Sequence, residues 1–443
     1  MKRTTIAATA AGAALALTAC GAGTPPAERR PSAEPTARTS ARATDEGSRR
    51  VDLETPTFSD PTSITNPLFP ISDLDQVIQL GDEAGTRLRF EVTRLPATKV
   101  IEWDGRTVET VQSQFVAYGD GRVLEVAVDY FAQADDGAVW YFGEQVDNYE
   151  DGVIANNDGT WLAGKDGPPG MIMPADPQVG DVYRPENIPD LVFEEVTVLE
   201  TDQTVPGPRG DVEGAIAIQE RLMDGVLEGK TFAPAYGEFQ AVVESEQEFV
   251  GMGLAVPADF LGGSTPDEVA AMSDGAAAIR AAAIAADWNA VTTLLGDVQT
   301  AWRPMQHAVP PLVAEETDLA LAAITAAMQG SDPAAAAQGA VDLGQASLDL
   351  RLQHLPVPAV DLARFALWVE QLTLDAATGD EATIAGDAAI LETIWQRVVH
   401  TAAATVGGAV SRHLVELRAA ADAGDPAAAA DVAAVLAETV AGA

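Results

Sequence analysis

Side chains able to carry out nucleophilic or metal chemistry are few in this chain and unevenly placed. The only cysteine is Cys20, so disulfide frameworks, CxxC redox sites and thiolate zinc sites are excluded. The four histidines, His307, His354, His400 and His413, all follow residue 300. A Ser–His triad, a Cys–His pair and an imidazole metal site are therefore unavailable to the region before them.

The histidine-containing region leaves one metal hypothesis open. Met305 and His307 flank a break at Pro304, and such a Met/His pair resembles the axial haem ligation of b-type four-helix cytochromes. The chain has no Glu-x-x-His pair and no HExxH motif, which di-iron and zincin sites need. We predict no cofactor and place the four histidines at helix ends or on the surface. Metal or haem handling through them is the alternative.

Carboxylates are the remaining chemistry, with 67 acidic against 26 basic side chains. Residues 147–152 and 156–159 form Asp/Asn-Gly turns whose oxygens could bind Ca²⁺, although neither keeps the spacing of an EF-hand loop. Ordinary hairpin turns are the main interpretation of both. Two acids that converged in a cleft before residue 260 would instead favour a carboxylate-based hydrolase.

The first twenty residues carry the most specific pattern. Lys2 and Arg3 precede a small, apolar stretch over residues 6–19, which is too short for a permanent membrane span. The stretch ends on Leu17, Thr18, Ala19 and Cys20. This order of charged, apolar and LTAC segments resembles the signal peptide and lipobox of bacterial lipoproteins.

The resemblance implies three things about the start of the chain. Residues 1–19 would be a signal peptide cleaved after Ala19, the Cys20 sulfur would carry a diacylglyceryl group, and the protein would be anchored by lipid to the cell membrane on its extracytoplasmic side. Two or more acyl chains give stable anchoring where a single chain is marginal.

A tether and a β domain follow. Residues 20–55 are rich in Pro, Ala, Thr, Ser and Arg without apolar periodicity, which predicts a disordered tether. Alternating runs, such as residues 124–130 and 138–142 around an Asp-Asp-Gly turn, predict a mainly antiparallel β domain over residues 56–258, curved or barrel-like. We expect the aromatic side chains of its strands to pack in the core, with a sugar- or lipid-stacking surface as the alternative; these are Trp140, Tyr141, Phe142 and Trp161.

Several segments of this region, among them residues 129–133, 139–144, 169–174 and 232–239, resemble a family of exported bacterial β domains without assigned activity. The resemblance runs over about residues 64 to 245. It implies an exported β domain and brings no catalytic residue with it.

The rest of the chain predicts an all-α helical bundle domain over residues 262–443, making the whole a multidomain α+β protein. It is rich in alanine with helical spacing, and breaks such as Gly407-Gly408 divide it into six or seven helices. Asp361 and Arg364 are three residues apart, which predicts an ion pair tying helices together.

Net charge bears on partners. At −41 the chain repels phosphate backbones, so nucleic acid is excluded as a partner. We predict a non-enzymatic envelope lipoprotein of binding or scaffolding type, attached to the membrane through Cys20 and recognising a small ligand or an envelope protein. The alternatives are the metal- or haem-handling protein and the carboxylate-based hydrolase.

Overall fold

The computed structural model of the chain describes residues 48–441. A mostly antiparallel β sheet over residues 49–256 is followed by eight α-helices between residues 267 and 441. The α+β prediction is confirmed at this level. The predicted signal peptide, Cys20 and residues 20–47 of the predicted tether lie outside the described residues. The last residues of the tether segment include a short strand, which pairs in parallel with a strand of the sheet.

Within residues 48–441 the sheet has fifteen strands. They are β1 (Arg49–Arg50), β2 (Gln76–Glu83), β3 (Thr86–Trp103), β4 (Arg106–Gly119), β5 (Arg122–Gln133), β6 (Val139–Glu150), β7 (Val153–Asn156), β8 (Trp161–Leu162), β9 (Gly170–Met173), β10 (Asp181–Ile188), β11 (Val192–Gly207), β12 (Gly210–Leu222), β13 (Leu227–Ala233), β14 (Gly237–Val243) and β15 (Glu248–Val256).

The strand order explains the shape of the sheet. It runs β1-β10-β11-β12-β13-β14-β15-β2-β3-β4-β5-β6-β7, with β8 and β9 paired to β6, so the sheet has two ends and is not closed. Phe131 of β5 and Tyr141 of β6 nevertheless share one hydrophobic cluster with Val196 of β11 and Ile218 of β12. The sheet therefore bends to bring its two halves together. We call the enclosed face the inner face and the opposite one the outer face.

The hairpins form where alternation and turn residues predict them. Strands β5 and β6 are joined at residues 134–137, where the Ala134 amide donates to the Ala138 carbonyl at 2.8 Å. A turn at residues 244–247 separates β14 from β15 in the same way.

The helices are α1 (Asp267–Ile284), α2 (Trp288–Trp302), α3 (Pro311–Gly330), α4 (Pro333–Arg351), α5 (Val357–Thr378), α6 (Glu381–Val398), α7 (Ala404–Asp422) and α8 (Pro426–Ala441), with a 3₁₀ turn at Val399–Thr401. Asp287, Asp332 and Asp380 cap α2, α4 and α6 by accepting hydrogen bonds from amides of the first turn. None of the helices in residues 48–441 is long and apolar enough to cross a bilayer.

Two predicted helix boundaries need correction. Gly407 and Gly408 do not end a helix but lie in the first turns of α7, where Gly407 is buried and the weak helix preference of glycine is overridden by packing. A break without Gly or Pro divides α1 from α2 at residues 285–287, where Ala286 adopts a positive φ of 53°. The break expected at Gly407-Gly408 lies instead at residues 399–403, and the added α1–α2 break brings the helices of residues 48–441 to eight instead of six or seven.

The helices pack on the outer face of the sheet. Ile78 and Leu254 of β2 and β15 belong to a hydrophobic cluster built largely by α1–α5, and Val116 and Val123 of β4 and β5 belong to a cluster with α5–α8. At the β6–β7 turn, Gly152 approaches α6 so closely that a Cβ would meet the Ala382 carbonyl oxygen at 1.8 Å. Sheet and helices therefore share their cores.

A buried polar network joins the same two layers. Glu91 of β3 accepts hydrogen bonds from Arg89 at 2.9 Å and from Arg397 of α6 at 2.7 Å, and Arg89 pairs with Asp349 of α4 at 2.7 Å. Arg364 contacts Asp361, as the spacing predicts. The network ties the helices to the sheet as well as to each other, a role that the helix sequences alone do not indicate.

Candidate binding site on the inner face of the sheet

The inner face carries an unusual number of buried acids. Strands β5, β6 and β10–β14 each turn carboxyl side chains inward, and a single lysine lies among them. We call these acids the inner carboxylates: Glu125, Asp129, Glu144, Glu186, Glu194, Glu220, Glu228 and Glu238. Glu186, Glu194 and Glu228 are fully buried, with 0% exposure. Buried acids at this density mark a functional candidate, because carboxylates are almost never fully buried unless they are paired.

Strand register sets inner carboxylates directly opposite one another. Asp129 faces Glu144 across β5 and β6, and Glu186 faces Glu194 across β10 and β11. Glu220 faces Glu228 across β12 and β13 in the same way. Like charges in such cross-strand pairs destabilise a sheet. Each pair must therefore hold a proton or meet a cation.

Two of these pairs are held by hydrogen bonds from aromatic side chains. The Tyr141 hydroxyl donates to Asp129 Oδ1 at 3.1 Å, and Trp161 Nε1 donates to Glu186 Oε1 at 2.6 Å. Glu144 lies beside Glu186, where a proton on one carboxyl can be shared with the other. With both groups ionised, no donor meets either oxygen of Glu144.

The third pair is neutralised by Lys230. Its Nζ lies 2.5 Å from Glu220 Oε2, 3.7 Å from Glu228 and 3.8 Å from Glu238. Burial lowers the pKa of this lysine, but the surrounding carboxylates outweigh it and hold the pKa well above its ordinary value. Lys230 is therefore charged at neutral pH.

Away from Lys230, burial keeps the inner carboxylates protonated. Desolvation raises the pKa of Asp129 and of Glu186 to about 8, and it raises the pKa of Glu144 and Glu194 well above the ordinary range of a glutamate. Nearby carboxylates add to the shift in Glu144 and Glu194. At pH 7 this part of the inner face consists mainly of neutral acids that ionise when a counter-charge arrives.

A small, partly open cavity of about 50 Å³ adjoins the acids. Residues 64–74, which we call the cover segment, close it with Phe69, Ile71 and Leu74. The side chains with polar atoms on its wall are Gln79, Ser113, Asp129, Tyr236 and Glu238. Ser113 Oγ is buried and has no hydrogen-bond partner. The space holds a few waters or one small group, below the range of about 300–1,000 Å³ typical of drug-sized ligands.

Hydrogen bonds hold the cover segment in place. Asn66 Nδ2 donates to the Pro174 carbonyl at 3.0 Å, and Gln133 Oε1 accepts from the amides of Thr65 and Asn66 at 2.8 and 2.9 Å. These bonds anchor the first residues of the cover segment to the sheet.

The four histidines lie at separate places among the helices. Met305 and His307 are in the loop between α2 and α3, where His307 is exposed. His354 follows α4 and bonds to the Gly262 carbonyl at 2.8 Å, exposed His400 is in the 3₁₀ turn after α6, and His413 on α7 contacts Glu416 at 2.9 Å. In residues 48–441, the one group of three His, Cys, Asp or Glu side chains close enough to share a metal ion contains no histidine; it is Glu83, Glu246 and Glu248.

The aromatic side chains and the two acidic turns singled out in the sequence have structural roles. Trp140, Tyr141, Phe142 and Trp161 are at most 5% exposed and belong to the main hydrophobic cluster, so the core prediction is confirmed for them. The two acidic turns form the end of the β6–β7 hairpin and the loop after it, where Asn157 Nδ2 donates to Asp147 Oδ1 at 2.6 Å. Neither turn contributes to the group of three acids above.

The sequence contains a signal for the inner carboxylates that its interpretation missed. On β11, Glu194 is in phase with the buried Val192, Val196 and Val198, and on β12 Glu220 is in phase with Ile216 and Ile218. An acid that replaces an apolar residue in the buried phase of a strand indicates an interior polar group.

Comparison with known proteins gave no match, either to a family model or to a curated protein.

Proposed function

We propose that this protein is a lipid-anchored envelope protein without catalytic activity, and that the inner face of its β domain binds a small cationic ligand. The LTAC sequence at Cys20 supports attachment through lipid to the extracytoplasmic side of the cell membrane. On this proposal residues 20–47 form a tether and the eight helices form a bundle that supports the outer face of the sheet.

One observation carries the binding part of the proposal. The cavity under the cover segment meets Asp129, whose partner across the strands, Glu144, is another acid and not a base. No lysine or arginine of residues 48–441 forms an ion pair with Asp129, Glu144, Glu186 or Glu194. A ligand that brings a positive charge would supply the missing counter-charge, and the apolar cover residues would pack on its hydrocarbon part.

Alkylammonium ions provide the probe for this site. Thermal unfolding of the full chain, purified in detergent, is measured at pH 7.5 with methyl-, ethyl- and butylammonium, using alcohols of the same chain lengths as neutral controls. We expect the unfolding temperature to rise with an alkylammonium ion and not with the alcohol of the same chain length. Only the cation can form an ion pair with an ionised inner carboxylate.

Two variants make the result specific. Asp129→Asn removes the carboxyl at the cavity wall and should abolish the ammonium response, whereas Glu213→Gln, on the exposed side of β12, should leave it unchanged. Equal responses to ammonium ions and alcohols, or an unaltered response in Asp129→Asn, would contradict ligand binding at the inner face.

A carboxylate-based hydrolase is the second candidate. Glu144 and Glu186 lie side by side and can share a proton. Such a pair of carboxyl groups can act as general acid and general base. The adjoining cavity of about 50 Å³ is too small for a sugar residue. We therefore rank binding above hydrolysis.

A further inference from the structure

Two hairpins meet at the rim of the sheet, away from the cavity. Because β15 pairs with β2, the β2–β3 turn and the β14–β15 turn lie side by side. The register places Glu248 directly opposite Glu83, and the Ala84 amide donates to the Gln247 carbonyl at 3.4 Å. Gln247 adopts a positive φ of 59° in the turn that carries Glu246.

This arrangement gathers three carboxylates. One oxygen from each of Glu83, Glu246 and Glu248 lies within 4.8 Å of the others. Glu83 and Glu248 are each 2% exposed, and Glu246 is half-buried. The group is therefore enclosed on the protein side and accessible to solvent through Glu246.

The buried oxygens of this group have nothing to bind. Oε2 of Glu83, of Glu246 and of Glu248 is buried without a hydrogen-bond partner. None of the ion pairs among residues 48–441 involves these three side chains. Three ionised acids that converge with unpartnered oxygens are strongly unfavourable unless one of them takes up a proton or a cation lies between them. The unsatisfied, buried oxygens are an observation separate from the clustering of the acids.

We propose that Glu83, Glu246 and Glu248 bind a Ca²⁺ ion at the rim of the sheet. Carboxylate oxygens are the ligands that Ca²⁺ prefers, and Ca–O distances of roughly 2.3–2.6 Å put two oxygens of one ion at most about 5 Å apart. The 4.8 Å limit of this group fits that span. Three side chains leave coordination positions for water on the Glu246 side. Mg²⁺ needs shorter, near-octahedral bonds, so it should bind more weakly.

The site would join two hairpins that are adjacent in the sheet but far apart in the sequence. A bound ion would hold the β2–β3 and β14–β15 turns together and favour the folded state alone, since the three ligands come from distant parts of the sequence. The cavity probe tests different residues, so this proposal and the binding function can fail separately.

Calorimetric titration and thermal unfolding of the full chain with CaCl₂ test the site at constant ionic strength. We expect saturable Ca²⁺ binding with a dissociation constant on the order of 10⁻⁴–10⁻³ M, the range of extracellular calcium sites. The unfolding temperature should rise by about 2–4 °C in 10 mM CaCl₂ and by less in MgCl₂.

Variants separate a site from a general charge effect. Glu246→Gln removes the most accessible ligand and should weaken Ca²⁺ binding at least tenfold, whereas Glu244→Gln, exposed on the same turn, should bind as the natural chain does. The double variant Glu83→Gln/Glu248→Gln should be at least as stable as the natural chain without calcium and gain nothing from it. Absence of saturable binding, or equal losses in Glu244→Gln and Glu246→Gln, would overturn the proposal.

Discussion

Asp129 shows how a buried acid ties the stability of the sheet to pH. It is 4% exposed and bonded to the Tyr141 hydroxyl, and its pKa is raised by burial to about 8. The folded chain therefore holds a proton that the unfolded chain releases near the ordinary pKa of an aspartate. The stabilising contribution is full below about pH 4 and is lost as the pH rises through 8.

The free energy of unfolding should accordingly fall between pH 5 and pH 8.5. In Asp129→Asn the fall should be shallower, by up to about 1.4 kcal/mol per pH unit, because the amide has no proton to lose. Urea unfolding at half-unit pH intervals measures the slope, with Glu213→Gln as the matched control. Identical slopes in the natural chain and in Asp129→Asn would show that Asp129 is ionised at neutral pH.

Lys230, unlike Asp129, is a buried cation, and it provides the positive charge beside three buried acids. Lys230→Met leaves Glu220, Glu228 and Glu238 without the ammonium group, and we expect a loss of about 3–5 kcal/mol in the free energy of unfolding at pH 8. The loss should shrink at pH 5, because burial raises the pKa of Glu238 to about 7 and this acid is then protonated. Lys165→Met removes a lysine whose side chain is 73% exposed and should cost little. A similar, pH-independent loss in both variants would refute this role.

At the scale of elements, the sequence predicts which residues of a strand share a face better than it predicts which face points inward. Alternation on β5 separates Val126 from Glu125 and Asp129, as the structure confirms. The acids nevertheless face the interior, and Val126 packs beneath the helices on the outer face. A period of two distinguishes two faces but cannot say which is solvated when both are covered.

The same limit applies to the candidate site. The sequence indicates carboxylate chemistry before residue 260 because no histidine is there, but it cannot pair Asp129 with Glu144 or Glu83 with Glu248. Those pairs depend on register, which is set by turns and bulges along the whole sheet. The helix breaks with Pro and capping Asp are predictable locally, as at Asp332.

The junction between sheet and helices depends on Glu91 of β3. Burial alone would raise its pKa, but Arg364, Arg89 and Arg397 outweigh that effect and hold the pKa well below the ordinary value. Glu91 is therefore ionised at neutral pH, and it balances arginines of both layers.

Glu91→Gln should leave those arginines partly uncompensated and lower the free energy of unfolding by about 3–5 kcal/mol. Hydrogen exchange should become faster in α5 and α6, which carry Arg364 and Arg397. Glu102→Gln changes an exposed acid of the same strand and is the control. If both variants exchange alike, the network does not hold the layers together.

At the scale of the whole molecule, burial makes the formal charge of −41 an upper limit on the negative charge. Several inner carboxylates carry protons at neutral pH because desolvation raises their pKa. A protein that exchanges these protons for cations suits an exterior in which ions are plentiful. On the proposed function, the lipid on Cys20, the first residue after cleavage, holds the protein in that exterior.

Mass spectrometry of the N-terminal peptide from the native, membrane-extracted protein tests that account most directly. We predict a peptide that begins at Cys20 and carries a diacylglyceryl group on the sulfur, with residues 1–19 removed. A peptide with an unmodified Cys20, or one that still contains residues 1–19, would contradict the envelope anchor.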